Sequence, residues 1–235
     1  MTVGFDRYLR AEWLDRALDV AASGVDAGAG RTQLDAALRD QVSGDQSRLE
    51  TTRLLTQIWL RPSPEVRPLR DAAVELYRGG HGDPTALHWG MSMAVYPFFG
   101  TAADAMGRQL RLHPSFSAPT VLGRVAETYG DRPTVRRAGQ RALQNVVDWG
   151  ALYRRADGEY VGAEPRPVSA RVSAWLVAAA LLSKRTEASP LDALQSEPAL
   201  FPFELVPPVR LDPTPLYDVV RQGGGVDIAV LSPVG

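Results

Sequence analysis

Between Pro133 and Asp148 the apolar residues Val135, Ala138, Ala142 and Val146, with Trp149 just beyond, recur at intervals of three and four. That is the period of an α-helix with one buried face. Leu143 and Val147 widen the stripe, and Pro133 stands in the first turn, where proline is preorganised for a helix start. The opposite face carries Arg136, Arg137, Gln140, Arg141 and Gln144, with Asn145 and Asp148 at its edge. No acidic residue interrupts this face before Asp148. Such a helix must lay one side on a core and leave a strip of guanidinium and amide groups in water. The rest of the chain has to supply the core without covering the strip.

The flanking segments define a supersecondary unit. Residues 118–129 have helical spacing and end at Gly130, a few residues before the next helix begins. A short glycine-containing turn between two helices is what a helix-turn-helix needs. Downstream, DWGALYRRADGEYVG (148–162) offers two short apolar-aromatic runs around Asp157-Gly158, a pair suited to a two-residue hairpin turn. The spacing therefore predicts helix, turn, helix and a wing.

The residue types on the exposed strip suit a nucleic-acid duplex. Arginine pairs bidentately with guanine and glutamine with adenine at base edges, and arginine also takes phosphates. The candidate DNA-contacting residues are Arg132, Arg136, Arg137, Gln140, Arg141 and Gln144 on the helix, with Arg154 and Arg155 on the wing. Charge is local: residues 108–141 hold seven arginines against Glu127 and Asp131, whereas the whole chain carries a net charge of −1. There is no global basic field. Of the 26 basic residues only Lys184 is lysine, so position says more than arginine count.

The rest of the chain reads as mainly helical. Helices are predicted from about Phe5 to Ser23, from Thr32 to Gln41, from a start at Asp45 or Ser47 through Trp59, and near Leu69–Tyr77. The glycine-rich SGVDAGAG (23–30) is read as a break. Asp83-Pro84 predicts a further helix start. The segment 85–112, with Trp89, Tyr96, Phe98 and Phe99, predicts two helices meeting near Pro97 and forming the central core. A helix follows from Val168 to Ser183. Beyond it, LFPFEL and a glycine-turned LYDVVRQGGGVDIAVLS predict an extended tail with a β-hairpin. The expected fold is mainly α: a helical domain at 1–97, a winged helix-turn-helix at 98–164, and a helix plus hairpin-bearing tail at 165–235.

Several chemistries lack their signatures. There is no cysteine, hence no disulfide, thiolate nucleophile or cysteine zinc site. Neither a Walker loop nor a Gly-x-Ser-x-Gly elbow is present. The three histidines, His81, His88 and His113, lack the spacing of a zinc site. The first residues contain no apolar signal core, and the most apolar run, Ala174–Leu182, is far shorter than the roughly 20 residues that cross a bilayer. The expectation is a cytoplasmic protein with no enzymatic activity, no cofactor, no metal and no membrane partner.

The order of parts is similar to that of a known family: a helical N-terminal region, the aromatic pair of helices in LHWGMSMAVYPFFGTAADAMGRQLRL, a turn, the arginine helix and VVDWGALYRRADGEYVG. This layout, over about residues 30–162, resembles the BrxA family of accessory proteins in BREX phage-defence systems. The tail from Pro165 onward falls outside the likeness. The resemblance implies winged-helix character, duplex DNA binding and a non-enzymatic place in a larger defence assembly with other protein subunits. The alternative is a protein-interaction scaffold that uses the same fold without touching DNA.

Overall fold

A computed structural model describes residues 4–233. The described chain is mainly helical, with ten α-helices and seven short strands in three small sheets. The helices are α1 (Ala11–Ser23), α2 (Ala27–Leu38), α3 (Asp45–Leu55), α4 (Arg67–Arg78), α5 (Pro84–Val95), α6 (Pro97–Leu112), α7 (Ala118–Tyr129), α8 (Pro133–Asp148), α9 (Ala170–Lys184) and α10 (Leu191–Gln195). The strands are β1 (Leu152–Arg154), β2 (Tyr160–Gly162), β3 (Arg166–Pro167), β4 (Ala188–Pro190), β5 (Phe203–Glu204), β6 (Tyr217–Gln222) and β7 (Val226–Leu231). The helix starts at Pro84 and Pro133 and the meeting of α5 and α6 at Pro97 follow the sequence pattern. So does the hairpin β6–β7, which turns through Gly223–Gly225.

Two expectations near the N-terminus differ from the structure. Residues 5–10 are not helical, and α1 begins only at Ala11. The glycine-rich stretch does not break the chain throughout. Gly24, at φ 78°, ends α1, but the side chain of Asp26 then accepts from Gly28 N and Ala29 N and opens α2 inside the run. Gly30 belongs to α2 because a Cβ there would lie 2.9 Å from Val20 Cγ1 and 3.0 Å from Leu60 Cδ1. The glycine lets two elements approach closely, at the cost of helix propensity. After α3 the helix widens into a π turn over Thr56–Leu60, which buries Ile58 and Trp59.

One contiguous core runs from Phe5 to Ala229. Its aromatic hub is Trp89 on α5. The indole ring meets Phe99 at 5.2 Å, Phe201 at 5.5 Å, Phe203 at 5.9 Å and Trp149 at 6.0 Å between centroids, each edge to face. Its Nε1 donates to Ala199 O at 2.9 Å, which gives the buried donor a partner. Trp89, Tyr96, Phe98 and Phe99 are thus core residues, and LFPFEL packs the tail onto the body through Phe201 and Phe203. Helix α9, buried almost all round, packs on α5, with Trp175 against Gly90.

The close approach of the tail sets a steric condition on α6. A Cβ on Gly107 would lie 1.9 Å from Pro198 O, whereas a Cβ on Gly123 of α7 would meet nothing within 4 Å. We expect opposite signs from one substitution. Gly107→Ala should lower stability by about 1–3 kcal/mol or more through overpacking. Gly123→Ala should raise it by about 0.5–1 kcal/mol through helix propensity. Chemical denaturation of the two variants checks this, and equal midpoints would contradict it.

Candidate nucleic-acid interface

The unit from α6 to β2 positions the candidate residues. Helix α7 ends at Gly130, whose φ of 82° turns the chain, and α8 begins three residues later. The two helices cross tightly: a Cβ on Gly139 would lie 2.4 Å from Leu122 Cδ2. Strands β1 and β2 then form an antiparallel hairpin with Leu152 opposite Gly162 and Arg154 opposite Tyr160. Its loop differs from a two-residue turn. Arg155 N donates to Glu159 O and Gly158 N donates to Arg155 O, so Ala156-Asp157-Gly158 make a three-residue loop with Gly158 at φ 89°. That left-handed glycine closes the turn and supplies the strand twist. Phe116, between α6 and α7, adds a third short rung. It exchanges both backbone hydrogen bonds with Tyr160, at 3.0 and 2.8 Å, and the two rings stack at 5.6 Å.

The buried face of α8 contains Val135, Ala138, Ala142, Leu143 and Val146. Arg136, Arg137, Gln140, Arg141 and Gln144 are all exposed on its other side. Within this strip the partners differ. Arg136 makes a bidentate pair with Asp131, Nε to Oδ1 at 2.5 Å and Nη2 to Oδ2 at 2.7 Å. The pairing holds the Asp131 carboxyl below its ordinary range and raises the guanidinium. Arg141 Nη1 donates to Gln144 Oε1 at 2.7 Å. Arg137 and Gln140 have no side-chain partner among the described residues. Arg132 is also exposed but turns back, and its Nη2 donates to Tyr129 O at 2.9 Å. On the hairpin, Arg154 lies over the Tyr160 ring at 6.0 Å and Arg155 pairs with Asp157 at 3.1 Å. The sequence pattern counted Asp131 as local charge without placing it. In space it is, among the described residues, the carboxylate that pairs with the strip.

Asn145 and Asp148, expected at the edge of the exposed face, have a different task. Asn145 is fully buried. Its Oδ1 accepts from Leu9 N at 2.8 Å and its Nδ2 donates to Arg7 O at 3.1 Å. Asp148 Oδ2 accepts from Ala11 N at 2.7 Å, and Oδ1 accepts from the Tyr8 hydroxyl at 2.6 Å. Trp149 Nε1 donates to Leu9 O at 2.9 Å. Together they hold residues 7–11 along the end of α8. Helix α1 has no cap from its own N-cap residue, Arg10, so Asp148 supplies one from 137 residues away. Removing the amide leaves buried backbone groups without partners. Asn145→Ala should therefore cost about 2–5 kcal/mol, the desolvation penalty of two unpaired groups, while Gln140→Ala on the outer face should stay within about 0.5 kcal/mol of wild type. Denaturant midpoints read both.

Elsewhere several titratable groups are paired. A cleft of about 600 Å³ opens between α6, the end of α7, the end of α9 and the segment Pro198–Leu200. Its Asp104 pairs with Arg108 at 2.7 Å, and its Lys184 pairs with Glu197, whose carboxyl burial pushes up. His88, on the buried face of α5, contacts Asp15 Oδ1 through Nε2 at 3.0 Å and meets Trp59 edge to face at 5.5 Å. Burial lowers its pKa, against the raising influence of Asp15, Asp83 and Asp19. No group of three or more acidic or histidine side chains suited to a metal ion occurs among the described residues.

The sign of the His88 effect follows from linkage. A histidine depressed in the fold binds fewer protons than in the unfolded chain, so its stabilisation is present above about pH 6.5 and is lost as pH falls through the folded value. Wild type should lose stability between pH 7.5 and the acid side of this range more steeply than His88→Gln. Denaturation midpoints of both proteins across that window test this, and parallel pH profiles would contradict it.

Comparison with known proteins adds no relative: no family model, no curated protein and no solved structure matches this chain.

Proposed function

We propose that residues 98–164 form a winged helix-turn-helix that binds duplex DNA, with α8 entering the major groove and β1–β2 as the wing. The observation that carries this reading is the outer face of α8. It presents Arg136, Arg137, Gln140, Arg141 and Gln144 to solvent over two and a half turns with no carboxylate from the helix itself. The helical strip fits a groove about 12 Å wide, and its donors match the acceptors on purine edges. Arg154 and Arg155 on the adjacent hairpin suit the flanking phosphates, and Arg132 stands at the helix start. The pairing of Phe116 with Tyr160 supports the same reading, because a third rung anchors the hairpin to the helices.

The role proposed is that of a non-enzymatic accessory protein in the bacterial cytoplasm, acting without a cofactor. Its likeness in layout to the BrxA family makes a phage-defence complex, with other protein subunits, the setting. No helix among the described residues is long and apolar enough to cross a membrane.

Fluorescence anisotropy with a labelled duplex at several salt concentrations tests the reading. Wild type should bind with an affinity that falls steeply with salt, through counterion release. The triple variant Arg136→Ala/Arg137→Ala/Arg141→Ala, whose changes lie on the exposed face, should remain folded. It should lose roughly ten- to a hundredfold in affinity, with a slope shallower by about two to three. A folded triple variant that binds like wild type would remove α8 from the interface. A wild type inert at low salt would transfer the face to a protein partner, the scaffold role.

A further inference from the structure

We infer that Asp131 is a built-in competitor for Arg136 and sets the affinity and salt dependence of the α8 face for duplex DNA. This rests on the DNA reading above and specifies one control within it. The Asp131 carboxylate takes both ends of the Arg136 guanidinium, in the same two-point geometry that a guanine edge or a phosphate would use. Both side chains are more than half exposed, at 54% and 59%, so the pair is screened and exchangeable.

The other arginines of the strip are not held by a carboxylate. Arg141 leans on the neutral Gln144, and Arg137 has no partner among the described residues. Among the described residues Asp131 accepts from Arg136 alone, and the N-cap of α8 is Arg132. Its place just before α8 also suits the positive end of that helix.

Two consequences follow for binding. Arg136 can engage DNA only by releasing Asp131, so its contact replaces an existing one rather than adding to the total. Once released, the Asp131 carboxylate stays beside the DNA phosphates and repels them. Arg137 and Arg141 bind without this opposition. Asp131 thus holds the face below its full affinity and favours targets that offer Arg136 two acceptors at once.

The test uses the full chain and a fluorescein-labelled duplex of mixed sequence, titrated at a series of sodium chloride concentrations. Four proteins are compared: wild type, Asp131→Asn, Arg136→Ala and the double variant, each checked for folding by circular dichroism. Asp131→Asn should bind about three- to tenfold more tightly than wild type, with a salt slope steeper by about one. In the Arg136→Ala background the same substitution should gain clearly less, about twofold, since only the screened repulsion of an exposed carboxylate remains to be removed and no arginine is freed. An Asp131→Asn protein that binds no better than wild type overturns the inference. A gain that persists undiminished without Arg136 also overturns it, because it reports bulk charge and not competition. In both cases wild-type binding leaves the DNA reading standing. If none of the four proteins binds, the DNA reading fails and this inference fails with it.

Discussion

The buried amide of Leu9 needs an acceptor, and the fold provides it from a residue 136 positions later. In an extended strand the carbonyl of one residue and the N–H two residues on point the same way. The Asn145 amide faces Arg7 O and Leu9 N and takes the place of a neighbouring strand. Trp149 and Asp148 continue this substitute ladder as far as the first N–H of α1. A single turn at the end of α8 therefore ties the N-terminal segment to the centre of the chain.

Helix α8 consequently carries three kinds of surface. One stripe, Val135 to Val146, packs on α7 and the core. The end of the helix braces residues 7–11. The remaining strip is exposed, with Arg136 paired to Asp131. The buried stripe and the bracing turn hold the helix, and neither uses the side chains of the outer strip. This separation lets a rigid element present arginines at fixed spacing. Several charges elsewhere in the molecule, Asp104–Arg108 and Arg221–Asp227 among them, are matched locally.

Local signals in the sequence were enough for α7 and α8. Proline or glycine marks their ends, and the apolar period is unbroken between them, so pattern and structure agree to the residue. The same holds for the junction at Pro97 and the Gly223–Gly225 turn. The extended course of residues 5–10 was not legible, since Leu9 fits a helical stripe and only distant side chains hold it straight. Likewise Gly28 and Gly30 read as a break until the Asp26 cap and the close contact with Val20 are seen. The parallel pairing of β3 with β5 and the addition of β4 to β7 join segments far apart in the chain. At the candidate interface, helical spacing identified the outer strip. It could not show that Asp131 reaches back across the turn, nor that Asn145 points inward, because one residue's rotation about the axis decides between edge and core.

The substitute ladder also bears on how the chain comes to be folded. A ribosome extends a chain at about 5–20 residues per second, so Leu9 emerges on the order of ten seconds before Asn145 does. During that interval Phe5 and Leu9, both fully buried in the finished protein, have no completed surface to cover them. Loop closure over so many residues is slow relative to local helix formation. The hydrogen bonds that hold residues 7–11 therefore have no partners until the end of α8 has been made.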